Sequence, residues 1–161
     1  MTAPYSGSMT VNAGDLAPDF LAFLPEPLRT ADWTVLYFYP RGNNPHCVMQ
    51  SRRFQALLPQ FREAGVRVVG VSVDTAEEQG YFRNFCTLSF PLISDARHEL
   101  SARYGVLDSA VVDGETVTYA RRETFLIRPD GRVALHWTQV DPDTHAAQVL
   151  GAVKALTNMP A

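Results

Sequence analysis

Two nearly continuous apolar runs place the strongest constraint on the fold of this chain. WTVLYFY (Trp33–Tyr39) is rich in aromatic and β-branched residues, and VRVVGVSVD (Val66–Asp74) has the same character. Such runs are typical of strands that are buried on both faces of a sheet. Between them, apolar residues recur with helical spacing at Phe54, Leu57, Leu58 and Phe61. The sequence therefore predicts a strand, a helix and a second strand in succession.

The predicted helix contains a proline, and a second helix follows the second strand. Pro59 lies inside the apolar pattern, where we expect it to bend the helix rather than end it. Gly65 then ends the helix. The next helix is predicted over DTAEEQGYFRNFC (Asp74–Cys86), with Thr75 and Glu78 at the spacing of a capping box.

The second half of the chain contains signals for hairpins. Asp113-Gly114 and Pro129-Asp130-Gly131 each lie between strand-like segments and predict turns. The predicted elements here are a strand at Phe90–Asp95, a helix at His98–Gly105, hairpins at Ala110–Tyr119 and Glu123–Trp137, and a final helix lined by Ala146, Val149, Leu150 and Val153. Together the elements predict an α/β fold with a mixed central sheet and helices on both faces.

Size and charge narrow the classes of function. The chain has 161 residues, and we expect a mobile segment over residues 1–10 followed by one domain over residues 11–161. A net charge of -3 gives no basic surface for nucleic acid or for an anionic membrane. No apolar run approaches the length of a membrane span, and no secretory signal is recognised, so a cytoplasmic location is expected.

Cys47 follows a loop of turn-forming residues, PRGNNPH, at the predicted start of the first helix. The free N–H groups of a first helical turn favour an anion, so the pKa of a thiol placed there is expected to fall. The loop can also direct backbone N–H groups at one point, and Arg41 can add positive charge. The alternative is that Cys47 is a small, inert core residue.

The stretch YFYPRGNNPHC (Tyr37–Cys47) resembles the peroxidatic loop of the peroxiredoxins, and is most similar to their peroxiredoxin Q (bacterioferritin comigratory protein) branch. The resemblance covers Gly14 to Leu156. The other segments that carry it are GDLAPDF, VVGVSVD, FPLISD and RRETFLIRPDGRV. It implies a thioredoxin-like fold in which Cys47 is the peroxidatic cysteine and attacks a peroxide oxygen to become a sulfenic acid.

The resemblance also implies roles for Pro40, Asn44 and Arg122. Pro40 would shield the thiolate from solvent, and the Arg122 guanidinium would hold the thiolate and polarise the peroxide. Arg121 is the alternative arginine, because adjacent strand residues point to opposite faces. Asn44 stands where the family has threonine or serine, so its amide would position the reacting oxygens differently.

The only other cysteine is Cys86, near the end of the second predicted helix. Many members of the branch have a resolving cysteine five residues after the peroxidatic one, but this chain has Arg52 there. The resemblance then implies that Cys86 is the resolving thiol. Forming the disulfide is expected to need local unwinding near both cysteines, since the two Cα atoms must come within about 7 Å. The alternative is that Cys86 only packs in the core beside Phe82 and Phe85.

The function implied by the resemblance is a thiol peroxidase that reduces hydrogen peroxide and organic hydroperoxides and is recycled by thioredoxin or a similar dithiol. No bound cofactor is needed, and a monomer is expected. The histidines and cysteines show no metal-ligand spacing. Because Asn44 replaces the usual residue, the alternative function is a redox sensor or partner-binding protein with weak peroxidase activity.

Overall fold

The computed structural model describes residues 11–157 of the chain. The predicted mobile segment, residues 1–10, lies outside the described residues. The strands are β1 (Trp33–Phe38), β2 (Val66–Ser72), β3 (Leu92–Ser94), β4 (Leu107–Val112), β5 (Glu115–Ala120), β6 (Glu123–Ile127) and β7 (Val133–Trp137). The helices are α1 (Pro45–Glu63), α2 (Ala76–Cys86), α3 (Glu99–Arg103) and α4 (His145–Thr157), preceded by two short 3-10 helices at Leu21–Phe23 and Glu26–Leu28.

Five of the strands form one mixed sheet in the order β3-β2-β1-β6-β7. The first three strands along the chain are parallel to one another, whereas β6 and β7 run antiparallel to their neighbours. β1 is therefore the central strand, and all its residues from Thr34 to Phe38 are buried. The hairpin of β4 and β5 forms a separate two-stranded sheet.

The alternating side chains of the central strands divide the core into two layers. Val35 and Tyr37 pack in one apolar cluster with residues of α1, α2 and α4, whereas Leu36 and Phe38 pack in a second cluster with residues of α3 and the segment before β1. Neighbouring residues of a strand point to opposite faces, which produces this division. The predicted α/β fold, with a mixed sheet and helices on both faces, is confirmed.

Most of the predicted elements are present, with shifts at their ends. Thr75 and Glu78 form the predicted capping box of α2, and α1 continues through Pro59. Both predicted hairpins form. α1 begins at Pro45, before the predicted start at Cys47, because the side chain of Asn44 caps its first turn.

The end of α2 has an unusual backbone conformation. Thr87, the residue directly after Cys86, has φ 55° and ψ 51° and closes the helix in the left-handed region. A β-branched side chain rarely adopts that conformation, because its Cβ crowds the neighbouring carbonyl. The last turn of α2 is therefore followed by a strained residue.

Candidate active site around Cys47

Cys47 lies in the first turn of α1, just beyond the carboxyl end of β1. It is the third helical residue, its backbone N–H donates to the carbonyl of Asn44 at 3.0 Å, and its side chain is fully buried. The fold thus places a thiol at the positive end of a long helix, next to the central strand. Ligand sites of open α/β sheets typically lie at this edge, beyond the carboxyl ends of the strands.

The pKa of Cys47 reflects two opposing effects. Burial raises the pKa of the thiol above its ordinary value, and the nearby charge of Asp74 adds to the increase. The charge and hydrogen bond of Arg122 and the backbone N–H of Arg41 lower it. The expectation of a net lowered pKa was wrong for this conformation, because Arg122 and the backbone N–H of Arg41 do not compensate for the removal of the thiol from water.

Arg122 is the arginine that reaches Cys47. Its Nη1 also donates a hydrogen bond of 2.7 Å to Oε1 of Gln50, which lies one turn after Cys47 on α1. Arg121 is directed elsewhere: its Nε donates to Oε2 of Glu123 at 2.8 Å, and its Nη2 donates to the carbonyl of Gly105. The two neighbouring guanidinium groups therefore have different surroundings, and only Arg122 acts on the pKa of the thiol.

Asp74 fixes the loop that carries Arg41. Its buried carboxylate accepts a 2.9 Å hydrogen bond from the backbone N–H of Gly42 and another of 2.9 Å from the hydroxyl of Ser72. Arg41 lies 3.6 Å from the same carboxylate and donates through Nη2 to the carbonyl of Thr118 on β5. The loop between β1 and α1 is thereby tied to both the main sheet and the separate hairpin.

The other residues of the loop before Cys47 have different surroundings. Oδ1 of Asn44 accepts from the backbone N–H of His46 at 2.8 Å, so this oxygen serves as a helix cap. Pro40 is half-buried at the start of the loop, and His46 is exposed. Asn44 therefore has a structural task that the resemblance alone did not indicate.

Cys86 is the last residue of α2 and is 5% exposed. Both cysteines are free thiols, and both belong to the apolar cluster between the sheet and the layer of α1, α2 and α4. Burial raises the pKa of Cys86, whereas the charge and hydrogen bond of Arg52 lower it. Phe85, which precedes Cys86, is 66% exposed and lies under the guanidinium of Arg52.

A groove of about 750 Å³ lies between the Cys47 loop and α2. Its apolar wall is formed by Val48, Tyr81, Phe82 and Phe85. Its polar lining comes from Arg41, Asn43, Arg52, Asp74 and Glu78. The groove is large enough for a small organic molecule, and its lining includes residues of both α1 and α2, the two helices that carry the cysteines.

Two important site residues, Gln50 and Asp74, were missed at the sequence level. Gln50 lies three residues after Cys47, on the same face of the helix, and Asp74 follows the strand adjacent to β1. Both positions in the sequence could have indicated that these residues lie close to Cys47. Within residues 11–157, there is no group of three or more His, Cys, Asp or Glu side chains that could hold a metal ion.

None of the described helices combines the length and apolar character that crossing a membrane requires.

Comparisons with known proteins agree with this geometry. Residues 24–136 match the AhpC/TSA family. Peroxiredoxin Bcp of Xanthomonas campestris pv. campestris is 38% identical over 126 residues, which cover 76% of this chain and 77% of that protein. A mutant of PrxQ from Xylella fastidiosa has a TM-score of 0.80 at 33% identity and covers 91% of this chain and 97% of its own.

A solved structure of the bacterioferritin comigratory protein of Xanthomonas campestris, described for its alkyl peroxide reduction activity, has a TM-score of 0.73 at 35% identity. The matched region covers 80% of this chain and 82% of the Xanthomonas chain.

The fold and the relatives together identify a thiol-dependent oxidoreductase with a thioredoxin-like fold, as the family resemblance implied. The chain belongs to the AhpC/TSA family, within which its relatives are the Bcp/PrxQ peroxiredoxins. Peroxiredoxins are thiol peroxidases, so the predicted class of enzyme is confirmed.

Proposed function

We propose that Cys47 is the peroxidatic residue of this thiol peroxidase and that Cys86 resolves the oxidised form. The observation that carries the proposal is a buried thiol in the first turn of α1, whose pKa the Arg122 guanidinium and the Arg41 backbone N–H lower against the effect of burial. These are the groups that stabilise a thiolate and the negative charge that develops on a peroxide oxygen.

The first step is the attack of the Cys47 thiolate on one peroxide oxygen. The S–O bond forms as the O–O bond breaks, and the departing oxygen takes a proton and leaves as water or an alcohol. Sulfur is oxidised to the sulfenic acid by two electrons, and the peroxide is reduced. Pro40 would keep solvent from the thiolate, and the amide nitrogen of Asn44, whose oxygen caps α1, would donate to the substrate.

The groove beside the loop supports organic hydroperoxides as substrates in addition to hydrogen peroxide. The apolar side chains of Val48, Tyr81 and Phe85 could hold an alkyl group while the peroxide reaches Cys47. The Xanthomonas relative is described for alkyl peroxide reduction. We therefore infer faster oxidation of Cys47 by an alkyl hydroperoxide than by hydrogen peroxide.

In the second step, the thiolate of Cys86 attacks the sulfenic sulfur of Cys47. The S–S bond forms, the S–O bond breaks, and the hydroxyl group leaves as water after taking a proton. An external dithiol such as thioredoxin then reduces the disulfide. We place this cycle in the cytoplasm, because a reducing compartment maintains the dithiol that the cycle needs. We also propose that the protein acts as a monomer.

The test is stopped-flow oxidation of the reduced protein, followed by mass spectrometry. The wild-type protein is expected to form a Cys47–Cys86 disulfide, Cys47→Ser to be unreactive, and Cys86→Ser to stop at the sulfenic acid after one turnover. If Cys86→Ser turns over normally with thioredoxin, the resolving role of Cys86 is wrong.

A redox sensor is the second candidate function, favoured by the burial that raises the pKa of Cys47. The same experiment separates the two functions. An aligned site should react with peroxide orders of magnitude faster than a free thiol, whereas a sensor would react at about the rate of the free thiol.

A further inference from the structure

Arg52 connects α1 to the end of α2. Its Nη2 donates a hydrogen bond of 3.1 Å to the backbone carbonyl of Phe85, and its guanidinium carbon lies 5.1 Å from the centre of the Phe85 ring. Both contacts are made to the residue that precedes Cys86. One side chain of α1 therefore fixes both the backbone and the exposed aromatic ring at the point where α2 ends.

This position is electrostatically demanding for a thiolate. The last carbonyl groups of a helix carry partial negative charge, which disfavours an anion, and Cys86 is also buried. Arg52 satisfies one of these carbonyls and brings a positive charge to the same turn. Burial raises the pKa of the Cys86 thiol, and the charge of Arg52 opposes that increase.

We propose that Arg52 is a positioning residue for the resolving step, where its guanidinium, placed at Phe85, stabilises the thiolate of Cys86 that attacks the oxidised Cys47. This inference rests on the proposed resolving role of Cys86. It gives the Arg52 guanidinium a role in the second step of the cycle, in addition to its place in the lining of the groove.

The experiment compares three variants in the full chain. Arg52→Met removes the charge and the hydrogen bond but keeps an apolar stem, and Arg52→Lys restores a positive charge. Arg53→Met is the matched control, because Arg53 is the next residue of α1 but its Nη2 binds Oδ1 of Asp143 at 2.8 Å, away from α2. Sulfenic acid formation and disulfide formation are measured as separate kinetic phases between pH 6 and 9.

Arg52→Met is expected to slow disulfide formation about three- to tenfold at pH 7 and to move its pH midpoint upward by about 0.5–1 unit. With hydrogen peroxide as the oxidant, sulfenic acid formation should stay within about twofold of the wild-type rate, because this oxidant has no alkyl group to place in the groove that Arg52 lines. Arg52→Lys should reverse most of the shift in the pH midpoint. Arg53→Met should change neither the rate of sulfenic acid formation nor that of disulfide formation. An unchanged midpoint, or faster disulfide formation, in Arg52→Met would overturn the inference.

A second measurement separates this inference from the proposed function. In a Cys47→Ser background, the rate of alkylation of Cys86 against pH reports the pKa of its thiol without any peroxide chemistry. Arg52→Met should raise the midpoint of that curve, and an unchanged midpoint overturns the inference about Arg52 even where the disulfide forms. Failure of the wild-type protein to form a Cys47–Cys86 disulfide instead overturns the resolving role, and the proposal for Arg52 with it.

Discussion

The guanidinium of Arg122 donates a 2.7 Å hydrogen bond to the side-chain oxygen of Gln50, across the boundary between the sheet and α1. Gln50 is fully buried, and it fixes the direction of the cation that acts on Cys47. Gln50→Leu keeps the side-chain size but removes the acceptor. We expect the second-order rate of Cys47 oxidation to fall about tenfold, because Arg122 is no longer held in place.

The stability of Gln50→Leu is expected to change little, because Nε2 of Gln50 is a buried donor that has no partner among the described residues. Denaturant unfolding checks this point. Gln60→Leu, at an exposed position of the same helix, is the control for the kinetic effect. Equal oxidation rates in Gln50→Leu and wild type would show that Arg122 needs no support from α1.

Arg121 and Arg122 are adjacent, but substitution of Arg122 should affect the rate of Cys47 oxidation, whereas substitution of Arg121 should affect the stability of the fold. Arg122→Met is expected to reduce the rate of Cys47 oxidation about 100-fold, because the thiolate and the peroxide lose their cation. Arg121→Met should leave that rate within about threefold but lower the free energy of unfolding by about 1–2 kcal/mol, since Arg121 pairs with the buried Glu123. Stopped-flow kinetics and denaturant unfolding of both variants provide the check, and a reversed pattern would show that Arg121 is the active-site arginine.

The pH dependence of Cys47 oxidation should respond to Asp74. Burial raises the pKa of Cys47 and the charge of Asp74 raises it further, so the thiolate fraction and the rate should increase as the pH rises above neutrality. Asp74→Asn removes the negative charge but keeps an oxygen for the Gly42 N–H, and should therefore move the midpoint to lower pH. Asp143→Asn, at an exposed carboxylate, is the control. A midpoint that moves upward in Asp74→Asn contradicts the prediction.

Thr87 tests whether the end of α2 must unwind during resolution. Asn and Gly tolerate the left-handed conformation better than threonine, so Thr87→Asn should stabilise the folded helix end by about 1 kcal/mol. A more stable helix end opens less often, and disulfide formation should slow by about fivefold if opening precedes it. Asp113→Asn, at another left-handed position in the β4–β5 turn, is the control. Unchanged resolution in a stabilised Thr87→Asn protein would mean that α2 stays folded.

The order of strands and helices could be predicted from the sequence because each element has its own local signal. Continuous apolar runs predicted β1 and β2, the capping pair Thr75 and Glu78 predicted the start of α2, and Asp-Gly turns predicted both hairpins. The start of α1 was predicted two residues late, because the proline and asparagine before Cys47 were assigned to the loop. Pro45 and Asn44 are favourable residues for the first position and the cap of a helix.

The chemistry of the site was harder to predict, because it depends on contacts between distant segments. The resemblance favoured Arg122 over Arg121, but only the fold shows that the Arg122 guanidinium contacts α1 whereas Arg121 binds Glu123. The direction of the Cys47 pKa was wrong because the helix terminus is visible in the sequence, whereas the extent of burial is not. Asp74 acts through a loop 32 residues earlier in the chain, so its position after β2 could indicate the edge of the sheet but not its contact with Gly42.

The position of Cys86 at the end of α2 has a consequence for the oxidised protein. A bond from Cys47 to Cys86 would close a covalent ring that includes nearly all of α1, the whole of β2 and α2. Such a ring would restrict the unfolded chain, while the two helix ends that carry the cysteines would have to unwind in the folded state. Oxidation would therefore lower the local stability of the segments around the two cysteines and raise the free energy of unfolding of the whole domain. A reductant would therefore bind the oxidised protein while the segments around the disulfide are unwound and the disulfide is accessible.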